Sequence, residues 1–325
     1  MLPLARVAFG LWALAVALAP DIVHAQAFPS RPLRLIVPFP AGGPADIFGR
    51  HLAQGMSVPL GQTVVVENIS GMSGVLGVDR AAKAPPDGYT LALISSSAAS
   101  IGPFAMAKMP FDPAKDLGLV TTVVRVPEVL VVNPSLAVNT LAELVAHLKA
   151  NPGKLNFGSA GPGSITHLAV ELLKVEAKVD AVHVPYKGAA PAVTDLLAGQ
   201  VQLGILDVPV LLPHIRAGRL RALAITSGHR AETLPEVPTT AEAGYPKVLS
   251  DNWYGLVGPP GMPPAVLQRV HAAAVAALGS KDLGEQYAKV GGVPMSSSPQ
   301  EFAVYLAHDQ AKWGSVVRAI GFKAE

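Results

Sequence analysis

The chain of 325 residues contains no cysteine. That excludes disulfides, thiolate metal sites, cysteine nucleophiles and a lipidated N-terminal cysteine. Charge is also scarce, at 15% of residues, and nearly balanced at a formal +2. Such a balance offers no field for nucleic acid or an anionic membrane surface. The nine histidines never pair at metal-ligand spacing, so neither a metal nor a cofactor is expected. There is no G-x-S-x-G elbow, no G-x-G-x-x-G and no Walker loop. The chain is therefore not read as an enzyme. A hydrolase assembled from scattered Ser, His and Asp residues is the alternative of another class. Past the N-terminal segment, no apolar run is long enough to cross a bilayer.

Half of the residues are apolar, enough for a sizeable core, and the length suits two domains. Glycine (31) and proline (30) are abundant but scattered at the ends of apolar runs. This pattern gives many short elements joined by tight turns. At the N-terminus, Arg6 precedes the apolar core VAFGLWALAVALA and the small-x-small triplet Val23-His24-Ala25. The combination reads as a secretory signal peptide over residues 1–25, cleaved after Ala25, with Ala27 as a second position. A membrane anchor is the competing reading, but the core falls short of the ~20 residues a span needs. Removing 1–25 takes away Arg6 and Asp21 and leaves the charge balance unchanged. Export without disulfides fits a soluble protein of the bacterial periplasm.

Apolar runs of strand length alternate with helical patterns along the whole chain. The runs are Leu33–Phe39, Thr63–Asn68, Thr90–Ser95, Val129–Asn133, Leu155–Ser159, Ala181–Tyr186, Leu203–Asp207 and Leu220–Ser227. Continuous rather than alternating apolarity predicts strands buried on both faces of a mostly parallel sheet. Between them, Thr140–Glu143 is a capping box, and Ile165, Leu168, Ala169, Leu172 and Leu173 form one helical face. Helices are also expected over Ala190–Ala198, Pro263–Leu278 and Pro299–Ile320. The alternation predicts an α/β fold with doubly wound sheets and ligands at the carboxyl ends of strands. Proline interrupts the chain at Val126-Pro127-Glu128 and again over Leu234–Thr240. These breaks place a second domain at 128–240 and a discontinuous first domain at 28–127 plus 241–325, with a hinge and a cleft between them.

The residues that carry chemistry sit where strands feed helices. In Leu33–Arg50 an apolar run passes through Ala41-Gly42-Gly43 into a helix opening at Pro44. Adjacent glycines allow close backbone approach, and a helix N-terminus presents unpaired N–H groups with partial positive charge. That junction suits a carboxylate or phosphate. Ser159-Ala160-Gly161, continuing through Gly163 to Ser164, repeats the arrangement, with Ser164 as a cap whose hydroxyl serves its helix or a ligand. Ser95, Ser96 and Ser97 form a hydroxyl-rich loop after a third strand. Asp46 falls in a first helical turn, where it complements the dipole or meets a ligand. Asp207 ends an apolar strand, an unusual place for an unpaired charge. His167 lies off the apolar centre of its helix, as a structural or solvated residue does.

Read together, these segments resemble the Bug family of periplasmic solute receptors, the binding components of tripartite tricarboxylate transporters. FPSRPLRLIVPFPAGGPADIFGR looks like the family's opening stretch and VVVENISGMSGVLG like its second. PDGYTLAL, FDPAKDL, NPGKLNFGSAGPGSITHLA, HVPYKGAAPAVTDLLAGQV, GRLRALAITSGHR, LPEVPTTAEAGY and NWYGLVGPPGMPP follow in the family's order. The resemblance implies a monomeric two-domain protein closing on a small carboxylate and delivering it to membrane permease subunits. A receptor presenting the ligand to a membrane sensor would share the pocket. It also implies pocket positions at Phe39, Pro40, Ala41, Gly42, Gly43 and Asp46, in the Ser95–Ser97 loop, in Ser159–Ser164 with His167, and near Asp207. The chain departs from the family pattern at Ala41, at Pro44-Ala45 and at Ile69-Ser70, which stand where the family has Arg-Pro and so remove a cation.

Overall fold

The computed structural model describes residues 28–323. The signal peptide expected over residues 1–25 and its cleavage after Ala25 lie outside the described residues. The strand β1 (Leu33–Val37) is buried because it runs between two parallel neighbours, β2 (Val64–Asn68) and β3 (Thr90–Ser95). Helix α1 (Pro44–Leu60) returns the chain from β1 to β2, and α2 (Val75–Ala82) from β2 to β3. Gly61 ends α1 at φ 69°, where its N–H reaches the carbonyls of Ser57 and Val58. A single π turn over Ser97–Ile101 and the short α3 (Gly102–Ala105) lead to β4 (Gly118–Val132).

The next elements are α4 (Leu141–Ala150), β5 (Asn156–Ser159), α5 (Ile165–Ala177), β6 (Val182–Pro185) and α6 (Ala189–Leu197). They continue through β7 (Leu203–Asp207), α7 (Val208–Arg216) and β8 (Arg221–Ile225). Last come β9 (Asp251–Gly258), α8 (Pro264–Leu278), α9 (Lys281–Lys289), β10 (Val293–Pro294) and α10 (Pro299–Ile320). Caps fix several starts. Thr140 accepts the Glu143 N–H at 3.1 Å, while Glu143 reaches back past the cap to the Asn139 N–H at 2.6 Å. Ser298 and Glu301 complete a reciprocal box at α10.

The strand β4 is shared by two sheets. Up to Pro127 it pairs antiparallel with β9, and with β10 on its other side. From Glu128 it pairs antiparallel with β7 and, from Val129, with β8. Proline has no N–H for a ladder bond, so a change of partners is tolerated at Pro127. The α/β class read from the sequence holds, but the sheet is mixed rather than mostly parallel. Among the strands of the described residues, parallel pairing joins β1 to β2 and β3, and β5 to β6 and β7. The central strands β4 and β9 are antiparallel because each returns the chain across the middle of the sheet.

The chain recrosses at Ser250-Asp251, where β9 begins. Before that step, Val248 is buried with Leu130, Leu223 and Ala224, and Ala243 and Tyr245 pack against the same cluster. Beyond it, Trp253 meets Phe302 edge-on at 5.7 Å and Tyr305 at 5.3 Å. The Trp253 indole N–H donates to Asp309 at 2.7 Å, a buried bond that ties α10 to β9. Asp309→Ala leaves that donor buried and unpaired, which should lower stability by about 1–3 kcal/mol. Urea unfolding measures it; a loss well below 1 kcal/mol would show that the indole finds another partner.

Candidate functional site

Helix starts converge on one cavity. Gly43, the residue before α1, offers no side-chain cap, and neither does Gly188 before α6. Their first turns, with Gly43 and Pro44 on one side and Ala189 and Ala190 on the other, line a narrow recess. Phe39, Pro40, Ser97, Ala160, Ile165 and Thr166 add to its wall, the last two from the start of α5. No Lys, Arg or His lines it. Positive character therefore comes from helix ends alone, a setting for an anion. The two sides approach closely: a Cβ on Gly188, at φ 149°, would stand 2.7 Å from Pro40 Cδ. Ser97 Oγ accepts the Ile165 N–H at 3.0 Å, and Ser73 Oγ donates to the Pro162 carbonyl at 2.7 Å.

The remaining wall is a buried polar cluster of Asp207, Asn252 and Tyr254. The Asn252 Oδ1 accepts from Ser96 Oγ at 2.8 Å and from the Trp253 N–H at 2.9 Å. With its oxygen so occupied, the amide must point Nδ2 the other way. It donates to both Asp207 oxygens, at 3.2 and 3.0 Å, and to Tyr254. The Tyr254 hydroxyl donates to Asp207 Oδ2 at 3.3 Å. Burial pushes the Asp207 carboxyl up to about 7, against the opposing pull of these donors. Glu128 lies opposite Asp207 in the β4–β7 register. Burial and then the neighbouring Asp207 push it well above the usual carboxylate range. Ser250 Oγ donates to one Glu128 oxygen, and the other is buried without a partner.

Behind the Ser159–Ser164 turn two histidines stack, His167 on His183, with centroids 3.8 Å apart. His167 Nδ1 accepts the Gly163 N–H at 3.2 Å, which puts its proton on Nε2, facing Glu171. His183 Nε2 lies 2.6 Å from Ser159 Oγ. That contact has the look of a nucleophile and base, but burial and then His167 lower His183 to about 4. Ser159 Oγ is also held by the backbone of Gly161 and does not line the cavity.

A family model for the tripartite tricarboxylate transporter family receptor matches residues 48–322. This chain belongs to that family. The match is extended by Protein BugT of Bordetella pertussis, 41% identical over 93% of each chain. The solved periplasmic binding protein BugD is 31% identical at a TM-score of 0.88, covering 92% of this chain and all of that one. An R. palustris protein solved with adipate is 34% identical at a TM-score of 0.88, covering 91% and 99%. These likenesses make the fold that of periplasmic binding proteins and the family a class of solute-binding receptors.

In the receptor, the residues read from the sequence divide by position. Phe39, Pro40, Gly43, Ser97, Ala160 and Asp207 line the cavity. Ala41 and Gly42 are exposed and outside the lining, and the Gly42 N–H is spent on Asp46 at 3.0 Å. Asp46 turns from the cavity to Arg50 and to Asn68, whose amide also holds the Phe39 carbonyl. Burial would raise Asp46, but Arg50, Gly42 and Asn68 outweigh it and hold the carboxyl below its ordinary value. Ser95 is fully buried with an unpartnered hydroxyl, and Ser96 acts through Asn252. Ser159, Gly161, Gly163, Ser164 and His167 shape the turn from behind. Ser164 Oγ caps α5 at the His167 N–H and donates to the Gly161 carbonyl at 2.7 Å.

Besides Pro44, read from the sequence as the start of the anion-binding helix, six lining residues were not singled out: Ile165, Thr166, Ala189, Ala190, Asn252 and Tyr254. A signal existed for two of them. Asn252 and Tyr254 are alternate residues on a strand and so share one face, with Trp253 on the other. The protonated form of Asp207 is the one the fold prefers. Its contribution to stability is thus complete below pH 3.8 and lost as pH rises through about 7. In urea unfolding between these limits, Asp207→Asn should become progressively more stable relative to wild type. Parallel stability curves would mean that Asp207 titrates in the fold as it does in the unfolded chain.

Proposed function

We propose that the receptor captures a small organic acid in the periplasm and delivers it to the permease subunits of a tripartite transporter. The supporting observation is the convergence of two uncapped helix starts, and a third capped by Ser164, on a cavity with no basic side chain. Backbone N–H groups hold the carboxylate, at Gly43 on one side, where Pro44 has none to offer, and at Ala189 and Ala190 on the other. A structural neighbour solved with adipate agrees with a carboxylate ligand.

Two lobes close on the acid, residues 28–127 with 251–323, and residues 128–250. The hinge is the pair of crossings at Pro127-Glu128 and Ser250-Asp251. The return is taken after the 240/241 boundary expected from Leu234–Thr240, a placement that the packing of Val248 and Tyr245 with Leu130 and Leu223 supports. One chain supplies both jaws, so a monomer suffices, and capture needs no covalent step. Among the described residues no helix is long and apolar enough to cross a membrane.

Thermal-shift screening of organic acids against their amides and methyl esters tests the reading. A bound acid at 100 times its Kd should stabilise the protein by about 2.7 kcal/mol, and the uncharged derivatives should do nothing. Equal shifts for acid and ester would remove the anion site. Gly188→Val, which thrusts a branched side chain against Pro40, should weaken binding by about tenfold or more with the fold retained. Unchanged affinity by calorimetry would mean that α6 does not close on Pro40.

A further inference from the structure

The carboxylate reading leaves Asp207 unexplained. An aspartate placed immediately before a helix ordinarily turns its oxygens onto that helix's second or third N–H. Asp207 occupies that place before α7 and makes no such bond. Pro209, second in the helix, has no N–H to offer. The carboxyl instead enters the cavity wall, where it is 2% exposed. Of its two oxygens, Oδ2 accepts from Asn252 and Tyr254, whereas Oδ1 accepts a single bond of 3.2 Å. A carboxylate oxygen can take two.

No cation compensates it. Among the described residues, no Lys, Arg or His forms an ion pair with Asp207, and its nearest acidic neighbour, Glu128, is equally buried. A buried acid in this condition costs stability that an apolar or amide side chain would restore. A second negative group, the captured carboxylate, would add repulsion in the same narrow space. The wall becomes balanced if the ligand itself brings the missing cation.

We infer that the receptor selects a zwitterion, with its carboxylate at the starts of α1 and α6 and its ammonium on Asp207 Oδ1. The inference rests on the carboxylate site proposed above and names the class of acid that fills it: amino acids rather than simple or polycarboxylic acids. Asn252 and Tyr254 hold Asp207 in place and are spent in doing so, which leaves the second lone pair of Oδ1 to the ligand.

Calorimetry on the mature wild-type protein with matched probes decides the matter: alanine with propanoate, leucine with isocaproate, phenylalanine with hydrocinnamate, glutamate with glutarate. In at least one pair the amino acid should bind about tenfold tighter or more near pH 8. That advantage should shrink on acidification, since an ammonium needs ionised Asp207. The groups facing Asp207 act in the same direction or not at all. Glu128 from β4 loses charge together with it, Tyr254 from β9 stays neutral throughout, and Asn252 and Ser96 do not titrate. Lys312, on α10, reaches only Glu128 and Asp251.

Asp207→Asn should abolish the preference, so that each amino acid and its deaminated partner bind alike. If that variant does not fold, the wild-type pH series still decides, because a simple acid must show the opposite slope. Tighter binding of the deaminated partner in every pair, or affinity that rises as pH falls, overturns the zwitterion and leaves the carboxylate receptor standing. Binding of no probe by a folded wild-type protein counts against both.

Discussion

An anion can be held without a cation only where several backbone N–H groups point at one place. A single helix start supplies a few; this receptor brings three together. The arrangement follows from strand direction. In a β–α unit the helix begins at the carboxyl end of its strand. Here β1 leads into α1, β5 into α5 and β6 into α6, and the shared strand β4 sets the two groups of carboxyl ends against each other. Closeness then depends on what is missing. The Gly188 backbone lies against Pro40 at a distance that no Cβ permits. A Ser or Asp in place of Gly43 or Gly188 would also satisfy its own helix and withdraw the donors the site needs.

The two sides meet through a buried apolar cluster, in which Ile165 and Leu168 pack with Ile101, Ala105, Trp313 and Val317. They also share hydrogen bonds, among them Ser73 to the Pro162 carbonyl, the Ile165 N–H to Ser97, and Asn252 to Asp207. Each is worth about 1 kcal/mol net. The segment that carries Ser73 is itself unfavourable. Met72 and Ser73 both take left-handed backbone conformations, at φ 50° and 51°, and such residues cost on the order of 1–3 kcal/mol each. A ligand that touches both sides shifts the population between their arrangements only by its differential affinity for them.

The element alternation was legible because strands buried on both faces read as unbroken apolar runs, and helix ends carry their caps in sequence. Two features concealed the centre of the sheet. Pro127 interrupts β4, so only its second half, from Val129, reads as a strand, although the backbone continues straight through. Gly255 weakens the pattern of β9, yet its place is dictated by Phe302, whose ring would meet a Cβ at 2.3 Å. The site was legible where it consists of turns, at Gly43, Ala160 and Ser97, and illegible where it consists of strand faces. Asn252 contributes through a side-chain network that closes only when β9 lies between β3 and β4. Gly42 and Asp46 misled for the reverse reason. An acidic residue near a glycine turn serves a ligand or the turn with the same residue types, and here Asp46 takes the Gly42 N–H for itself.

The buried acids also tie the site to the crossings between the sheets. Glu128 begins the part of β4 that pairs with β7, and its register partner is Asp207. Ser250, at the return crossing, donates to the Glu128 carboxyl, and Thr226 bonds both the Glu128 and Ser250 carbonyls. One chain of contacts thus runs from the cavity wall through Asp207 and Glu128 to both points where the backbone changes sheet. In a low-dielectric interior two neighbouring carboxyls cannot ionise independently. Whatever fixes the charge on Asp207 therefore also acts on Glu128, and Glu128 sits where any rotation between the sheets must bend the chain. An apolar pair in these positions would pack as well and cost less, but it would leave the crossings indifferent to the contents of the cavity.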